Sequence, residues 1–353
     1  MKTRFRKELT LKSRMSRPQK ILAIETSCDD TSAAVVDTKY NILSNIISSQ
    51  GIHEKFGGVV PELASREHIK GILPVVDAAL NRAVCSLEHI DAIAVAVNPG
   101  LIGSLLVGVS FAKGLAASLD KPLIAVNHIL GHVFVNFIEY CDIKFPFISL
   151  IVSGGHTELV RFDSINEFEV LGRTVDDAAG EAFDKIGKLL GFKYPGGPHI
   201  DAYAKKGDKN KIDFPRPMLH QNNYDFSFSG LKTAASLYLK EHKINKDSDE
   251  IYDFCSSFQN AIVDVLFQKT IKTIKDSSLK NLLLAGGVAA NSQLRNRFER
   301  YSKKDKIKLY IPSIKLCTDN AVMIGAAAIQ KLKKKKFTSM KINPSPTKGI
   351  RSL

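Results

Sequence analysis

The sequence predicts a two-lobed α/β protein. Two stretches of equal length, residues 21–37 (ILAIETSCDDTSAAVVD) and 147–163 (FISLIVSGGHTELVRFD), each combine an apolar strand, a polar turn and a second apolar strand. Placed side by side, they match a serine, a threonine and an aspartate at equivalent positions. Elsewhere strands alternate with helical patterns, which is typical of α/β architecture. We therefore expect two related lobes whose turns face a shared cleft.

The remaining elements of the first lobe follow in a regular order. Residues 91–100 (DAIAVAVNPG) are predicted to form a strand that ends in a Pro-Gly turn, and residues 103–120 a helix rich in small residues. Residues 121–128 form a further strand. The apolar run 126–140 then predicts a helix, for which Asn127 is the expected N-cap.

The second lobe has a loop-rich centre at residues 191–201. A helix is predicted at 174–191, and residues 281–298 read as a strand, a Gly-Gly turn and a helix. Residues 317–336 begin with polar caps and end in lysines, which suits a helix macrodipole. These patterns predict a basic N-terminal tail at residues 1–20 and a C-terminal tail at residues 337–353. The first lobe is expected at residues 21–142 and is completed by the last helix, residues 318–336. The second lobe is expected at residues 143–317.

Composition limits the class of protein. The formal net charge of +14 and the pI near 9.4 favour an anionic partner, most simply a nucleic acid. The five cysteines are scattered and form no CxxC, which argues against a disulfide framework or a zinc knuckle and suits a reducing, cytoplasmic setting. No apolar run is long enough to span a membrane. The first twenty residues lack the apolar core of a secretory signal; a basic arm, a start at Met15 and a transit peptide all remain open.

Four polar or glycine-rich turns follow apolar strands, at residues 26–31, 153–157, 195–198 and 286–287. Such turns let backbone N–H groups approach a phosphate or a ribose. None matches GxxxxGK[ST] or GxGxxG, so neither a P-loop nor a dinucleotide site is indicated. Together they predict a nucleotide-binding cleft between the lobes.

His128 and His132 are four positions apart, so both imidazoles lie on one helix face. They form HxxxH without the glutamate of HExxH, which argues against a zinc protease. The residues alone leave two readings open, packed core histidines or metal ligands. Asp319, at the head of the last helix, is a candidate third ligand or a plain N-cap.

Several carboxylates have similar alternatives. At helical spacing Asp177, Glu181 and Asp184 share a face, which is either a solvated acidic stripe or a source of an acceptor for ribose hydroxyls. Asp201 follows a turn that contains Gly197 and is compatible with ribose or acyl recognition.

Seven blocks of the sequence resemble one family, the tRNA N6-adenosine threonylcarbamoyltransferases. They occur in family order between residue 21 and about residue 328: ETSCDDT, GGVVPELASREH, NHILGH, SGGHTELV, DFSFSGLKTA, AGGVAANSQLR and CTDNAVMIG. The resemblance implies the two-lobed actin-like (sugar kinase/Hsp70-type) ATPase fold. It also implies transfer of a threonylcarbamoyl group from threonylcarbamoyl-adenylate to N6 of the adenosine next to the anticodon, with release of AMP, in tRNAs that read codons beginning with adenine.

The resemblance also implies site residues. The family's metal ligands fall on His128, His132 and Asp319. They would hold one divalent ion, for which Fe²⁺ is expected and Zn²⁺ is the alternative. The family's adenylate contacts fall on nine residues: Ile151, Val152, Ser153, Gly154, Gly155, Asp184, Gly197, Asp201 and Asn291. No catalytic base is assigned.

The sequence departs from the family in two places. Many members have histidine at the position of Asn127 and glutamate at that of Asp30. The first change leaves HxxxH intact, and the role of the shorter Asp30 carboxylate stays open.

Partners and rival functions complete the expectations. The resemblance implies a hetero-complex with an inactive paralogue and a small ATPase, and it implies no membrane partner. Lys232 and the lysine-rich runs 2–20 and 331–336 are candidates for contacts with tRNA phosphates, although both runs could equally be solvated tails. The alternatives are a small-molecule phosphotransferase of the same fold, a metalloprotease and a non-enzymatic tRNA-binding scaffold.

Overall fold

Two five-stranded sheets organise the chain. In the computed structural model, which describes residues 17–346 and 350, the first sheet contains β1 (Lys20–Glu25), β2 (Asp30–Asp37), β3 (Ile42–Ser49), β4 (Ala92–Asn98) and β5 (Leu123–Asn127). The second contains β6 (Phe147–Val152), β7 (Thr157–Phe162), β8 (Phe168–Arg173), β9 (Asn281–Ala285) and β10 (Lys308–Tyr310). Most of the predicted N-terminal tail, residues 1–16, lies outside the described residues.

The two sheets have the same topology. Their strand orders are β3-β2-β1-β4-β5 and β8-β7-β6-β9-β10. In each, the first three strands along the chain pair antiparallel and the last two add in parallel. The hairpin β1–β2 therefore corresponds to the hairpin β6–β7, which confirms the predicted duplication of a strand–turn–strand unit. Central strands such as β4 are buried along their whole length, as expected for parallel strands covered on both faces.

Eleven α-helices connect or cover these strands within the described part of the chain. The first lobe contributes α1 (Pro61–Arg82), α2 (Ile102–Ser118), α3 (His128–Phe134) and α4 (Asn136–Glu139). The second contributes α5 (Ala179–Leu189), α6 (Gly196–Ala204), α7 (Ser229–His242), α8 (Ile251–Ser277), α9 (Ser292–Asp305) and α10 (Ile314–Cys317). The last helix is α11 (Ala321–Lys333).

Three apolar clusters show how the layers pack. One lies between α1, α2 and the outer face of the first sheet, and another joins α5–α9 to the outer face of the second. The third fills the space between the two sheets and includes side chains of α3 and α11. Because α11 packs on the first sheet while α3 also touches β6 and β9, these two helices lie where the lobes meet.

The predicted helix at 174–191 is shorter than the sequence suggested. It begins at Ala179, because the preceding residues form a turn held by Val175 N–H donating to the Phe226 carbonyl (2.9 Å) and by Thr174 Oγ1 donating to the Asp177 carbonyl (2.7 Å). Asp177 therefore precedes the helix, and its predicted place on the acidic face of that helix is wrong. Its carboxylate instead accepts from Lys185 (3.2 Å) and from Lys232.

The chain continues along the first lobe after α11. Thr338 N–H donates to the Leu123 carbonyl (2.8 Å), and Ala125 N–H donates to Thr338 Oγ1 (2.9 Å), so this segment runs beside β5. Among the described residues, no helix combines the length and the apolar character that crossing a bilayer would require.

Candidate metal centre and adjoining cleft

Both histidines of the HxxxH pair project from α3 towards one carboxylate. α3 starts directly after β5, and Asn127 Oδ1 accepts from Leu130 N–H (3.1 Å), so Asn127 is the N-cap that the sequence predicts. Nε2 of His128 lies 3.6 Å from Asp319 Oδ1, and Nε2 of His132 lies 3.2 Å from the same oxygen. The three potential ligand atoms all lie within 4.8 Å of one another.

Asp319 is free to face the histidines because its neighbour caps the helix. Asn320 Oδ1 accepts from Met323 N–H (3.2 Å), so the alternative reading of Asp319 as the N-cap of α11 is wrong. The approach of the two helices depends on Gly131, which lies between the histidines. A Cβ atom at Gly131 would lie 3.2 Å from side-chain carbons of Met323 and Ile324. A side chain at this position would require Met323 and Ile324 to shift, so the close approach of α3 to α11 favours glycine here.

Two residues of the first hairpin hold the far side of the His128 ring. Nδ1 of His128 lies 2.9 Å from Ser27 Oγ and 3.2 Å from Glu25 Oε2. Glu25 also accepts from Ser27 N–H through Oε1 (2.5 Å). A carboxylate beside Nδ1 favours a proton on that nitrogen, so that Nε2, on the Asp319 side, is the nitrogen that would be available to a cation in the neutral ring. Local sequence patterns do not predict these contacts of Glu25 and Ser27.

Opposite charges stabilise the ionised forms of this cluster. Burial alone would lower the pKa of His128, but the carboxylates of Asp319 and Glu25 more than offset burial and raise that pKa to about 9. Burial would raise the pKa of Asp319, yet His128 and His132 hold it well below its usual range. Asp319 is therefore a carboxylate across the whole physiological pH range, and the cluster favours a positive charge at its centre.

The surroundings of His132 fit a metal ligand. Its ring is fully buried, and neither Nδ1 nor Nε2 has a hydrogen-bond partner within the described structure. The 3.2 Å contact with Asp319 is close enough for an ion pair but lacks hydrogen-bond angles. A buried, unpartnered imidazole nitrogen is costly unless another group satisfies it. Two imidazoles and a carboxylate are a donor set that suits Fe²⁺ or Zn²⁺.

The predicted adenylate residues of the second hairpin adjoin this cluster. Ile151 and Val152 end β6, and Ser153, Gly154 and Gly155 form the turn to β7. A Cβ atom at Gly154 or Gly155 would meet no other atom within 4 Å, and both residues are exposed, so their backbone is accessible. The charge of His156, the next residue, acts on Asp319 and lowers its pKa. The turn therefore lies within electrostatic reach of the metal-type cluster.

The Gly-Gly turn after β9 packs against the same place. Gly286 has φ +90, and a Cβ atom there would lie 2.4 Å from the Val152 carbonyl oxygen. This backbone conformation and this close contact both require glycine. The ends of the parallel neighbours β6 and β9 thus meet at one edge of the second sheet.

The other predicted adenylate residues form hydrogen bonds among α5, α6 and α9. Asp184 accepts from the N–H groups of Gly196 (2.8 Å) and Gly197 (3.4 Å) at the start of α6. Asp201 Oδ1 accepts from Ser292 Oγ (2.8 Å) and from Asn291 Nδ2 (3.2 Å). The family resemblance predicts adenylate contacts at four residues of this region. The structure brings these four residues together: Asp184, Gly197, Asp201 and Asn291.

A buried glutamine that the sequence analysis missed supports Asn291. Gln259 Oε1 accepts from Asn291 Nδ2 (2.7 Å), and Asn291 Oδ1 caps α9 by accepting from Leu294 N–H (3.0 Å). The amide of Asn291 is thereby fixed in orientation. Gln259 lies in the middle of α8, and no turn or motif near it points to the cleft.

The phenol of Tyr194 is influenced by carboxylates of both groups of residues. Burial raises the pKa of its phenol, and the nearby charges of Asp29, Asp184 and Asp319 raise it further. One side chain is therefore within electrostatic reach of carboxylates from both lobes, which relates the metal-type cluster to the α5–α6 residues. Asp30 is the first residue of β2. Burial raises its pKa to about 6. The charge of Asp319 adds to this rise, and a hydrogen bond with Ser49 opposes it.

Comparison with known proteins gives a consistent result. A family model described as tRNA N6-adenosine threonylcarbamoyltransferase matches residues 41–326. A protein of that name from Thermosipho africanus is 54% identical over 315 residues, which cover 89% of this chain and 94% of the relative. One from Clostridium perfringens is 52% identical over 327 residues, which cover 92% and 96%.

Solved structures with low sequence identity share the fold. HypF from T. kodakarensis superposes with a TM-score of 0.60 at 14% identity, over 90% of this chain and 48% of that one. Component A of the (R)-2-hydroxyglutaryl-CoA dehydratase from Acidaminococcus fermentans gives a TM-score of 0.53 at 11% identity, over 89% and 99%. These likenesses, together with the duplicated sheets, confirm the predicted two-lobed actin-like fold.

Proposed function

Because the chain belongs to the family of tRNA N6-adenosine threonylcarbamoyltransferases, we propose that its cleft transfers a threonylcarbamoyl group from threonylcarbamoyl-adenylate to the adenosine next to the tRNA anticodon. The chain is an acyltransferase that modifies tRNA. In the proposed reaction the N6 amine attacks the acyl carbon of the mixed anhydride, the acyl–phosphate bond breaks and AMP leaves. Because this donor is already activated, no protein nucleophile is required.

We propose that His128, His132 and Asp319 hold one divalent cation, Fe²⁺ or alternatively Zn²⁺. The observation that carries this proposal is the buried His132 ring, whose nitrogens have no hydrogen-bond partner in the described structure although Asp319 lies 3.2 Å away. When bound, the cation would act as a Lewis acid towards the donor's oxygens. Glu25 and Ser27 would keep the His128 ring in its ligand orientation.

The second lobe would hold the adenylate. The accessible backbone of Gly154 and Gly155 suits close approach of a phosphate, since no side chain intervenes. The carboxylates of Asp184 and Asp201 are acceptors for ribose hydroxyls, and their hydrogen bonds to α6 and α9 fix their positions. Holding the donor in this way places its acyl carbon against the incoming amine and so lowers the entropic cost of the reaction.

The remaining expectations from the family resemblance form part of the same proposal. The substrate tRNAs are those that read codons beginning with adenine. The chain would work in the cytoplasm in a complex with an inactive paralogue and a small ATPase. Exposed apolar side chains on two neighbouring helices of the first lobe offer area for such a complex: Ile69, Leu73, Ile102 and Leu106.

Reconstitution tests the reaction directly. Purified protein, threonylcarbamoyl-adenylate and unmodified tRNA are incubated with and without the two partner proteins, and the digested nucleosides are measured by mass spectrometry. Threonylcarbamoyl-modified adenosine is expected. Its absence in every mixture would contradict the proposal. Release of AMP without any modified nucleoside would indicate donor hydrolysis rather than transfer.

A further inference from the structure

Positive charge is concentrated on the second lobe. Residues 21–142 contain 13 Asp and Glu against 7 Lys and Arg, whereas residues 143–317 contain 27 Lys and Arg against 21 Asp and Glu. The excess is marked at residues 188–211, which include α6 and hold six lysines and two aspartates. This segment also contributes Asp201 to the cleft, so the positive charge lies beside the proposed donor site.

Four aromatic rings contact one another in a row beside α6, two of the three pairs stacked and the central pair tilted. The Phe192 ring lies 5.4 Å from that of His199 and 4.8 Å from that of Tyr203. Tyr203 stacks on Tyr252 at 5.3 Å with 18° between the ring planes. All four residues are half-buried, and Phe192, Tyr203 and Tyr252 also pack against the hydrophobic core of the second lobe. This differs from the aromatic core beneath, where Phe254 is fully buried.

Exposed lysines border this row of rings. Lys206 Nζ lies 5.4 Å from the centre of the Tyr252 ring. Lys193 reaches Glu54 of the first lobe at 3.1 Å, and Lys205 reaches Asp201 at 3.7 Å. These are surface ion pairs, which contribute little and exchange readily for other anions. We name the rings and their lysines the aromatic–lysine face, which consists of Phe192, Lys193, His199, Tyr203, Lys205, Lys206, Lys209 and Tyr252.

The aromatic–lysine face is close to the cleft. α6 has nine residues and is about 14 Å long at 1.5 Å per residue. Its first turn donates to Asp184, and Asp201 on the same helix joins Ser292. His199 and Tyr203 flank Asp201 in sequence but project from the opposite side of the helix, because residues two apart differ by about 200° around the helix axis. A nucleotide held at the donor site and a base resting on Tyr203 would therefore lie on opposite sides of α6, separated by at least the helix diameter of about 10–12 Å.

We propose that the aromatic–lysine face docks the anticodon stem-loop of the tRNA substrate, with unpaired loop bases on the rings and lysines on the backbone phosphates. The proposal rests on the proposed function, which identifies the RNA. A stem-loop supplies both kinds of partner, because its loop bases can leave the stack and its phosphates are closely spaced. A double-stranded region or an acidic protein surface would match the lysines but would leave the rings without stacking partners.

The test measures binding of a labelled anticodon stem-loop RNA to the full chain by fluorescence anisotropy at several salt concentrations. Tyr203→Ala is expected to weaken binding about fivefold or more, since loss of one base-stacking contact has at least this effect. Lys206→Glu with Lys209→Glu is expected to weaken binding and to lower the slope of log Kd against log salt by about two, one unit for each lost phosphate contact. An RNA duplex without the loop should bind wild type and Tyr203→Ala equally.

The matched control reverses two charges elsewhere on the same lobe. Lys303 and Lys304 are exposed at the far end of α9, and Lys303→Glu with Lys304→Glu makes the same change in net charge. If this control weakens binding as much as the α6 pair, or if Tyr203→Ala and the α6 pair both bind like wild type, the proposal is wrong. Tyr203→Leu keeps apolar packing without a ring and serves in place of Tyr203→Ala if thermal unfolding shows that the alanine variant is unstable.

The same experiments separate this inference from the proposed function. Metal content and binding of the adenylate should be unchanged in the α6 variants. If wild type binds the stem-loop through this face but makes no modified adenosine in any mixture, docking is supported while the proposed reaction fails. If modified adenosine is made and the α6 variants bind RNA normally, the reaction is supported and docking at this face is excluded.

Discussion

Ser27 Oγ lies 2.9 Å from Nδ1 of His128, a residue 101 positions later in the chain. The contact joins the turn of the first hairpin to the start of α3. With Glu25 it places an acceptor group on one side of the imidazole while Asp319 lies on the other. The ring is thereby held from both sides, which is how metal-binding histidines are usually oriented.

Removal of this support should weaken metal binding. Glu25→Gln keeps the size of the side chain but removes the charge that faces Nδ1. We expect metal affinity to fall about 10–100-fold, the usual effect of removing such a supporting group. Competition with a coloured chelator measures it. Glu88→Gln, on an exposed turn of the same lobe, is the control and should bind metal like wild type; equal affinity in both variants would show that Glu25 does not act on the metal.

Loss of both histidines should abolish metal retention. His128→Ala with His132→Ala removes two of the three donors, and a single carboxylate does not hold Fe²⁺ or Zn²⁺ tightly. Elemental analysis of the purified variant is expected to show less than about a tenth of the wild-type metal content, since each lost ligand lowers affinity strongly. His89→Ala is the control, because His89 is exposed and its ring contacts Ser86 far from α3. Unchanged metal content in the double variant would refute the assignment.

Gly131 should tolerate no larger side chain. Gly131→Val would press its methyl groups into Met323 and Ile324, and overpacking of this kind costs about 1–3 kcal/mol of unfolding free energy. Chemical denaturation followed by circular dichroism measures it, and metal content should fall in the same variant. The control is Gly114→Val in α2, where an added Cβ meets no atom within 4 Å. Equal stability of the two variants would mean that α3 and α11 can move apart without cost.

Stability should depend on pH through His68. The ring is buried, its Nε2 lies 2.9 Å from the Cys28 carbonyl and its Nδ1 lies 2.8 Å from Thr31 Oγ1. A carbonyl only accepts, so Nε2 carries the proton and Nδ1 accepts from Thr31. Burial lowers the pKa of His68 below 6.5, so the unfolded chain binds a proton at a pH where the folded chain does not. The stability that this group contributes is therefore fully present above pH 6.5 and is lost as the pH falls towards the lowered pKa.

Comparison with His68→Gln isolates that effect. Unfolding midpoints of wild type and variant are measured between about pH 8 and pH 5, across the reference pKa of histidine. The difference between the two proteins should be largest at the high end and should shrink as the pH falls. A difference that stays constant over the range would show that His68 does not titrate differently in the folded and unfolded states.

Asp201 should affect the donor without affecting the metal. Asp201→Ala removes the carboxylate that accepts from Ser292 and Asn291. We expect KM for threonylcarbamoyl-adenylate to rise about tenfold, since the loss of one hydrogen bond to a charged group amounts to ~1.5 kcal/mol or more, while metal content stays at the wild-type level. Steady-state kinetics and elemental analysis on one preparation provide both values. Asp213→Ala, at a fully exposed position, is the control. Loss of metal in Asp201→Ala would show that the two parts of the site are not independent.

Much of the fold was predictable because its central strands are continuous apolar runs and its hairpins repeat. β4, β5 and the hairpins β1–β2 and β6–β7 follow such patterns. The sequence analysis did not single out β3, an edge strand with alternating and exposed side chains. It extended the helix at α5 too far, because the turn before Ala179 is fixed by hydrogen bonds to residues near 226, which local periodicity does not reveal.

The site was predictable only in part. Spacing placed His128 and His132 on one face and made Asp319 a candidate third ligand, but local sequence left the N-cap reading of Asp319 open and only the family resemblance assigned it to the metal. Glu25 and Ser27 reach His128 only through the pairing of β1 with β4 and of β4 with β5. Gln259 reaches Asn291 through the packing of α8 on α9. Contacts of this kind depend on tertiary structure, so a single sequence carries no signal for them.

The position of α11 has a consequence for the order in which the protein can mature. The ribosome makes β1 to β5 and both histidines first, but the inner face of their sheet is covered by residues 321–333, and Asp319 lies just two residues before this helix. A nascent chain that stops before this point has an uncovered apolar sheet face and only two of the three donors. The first lobe, although synthesised first, therefore completes its folding last. Newly made chains would acquire a tightly held cation only when translation is almost finished.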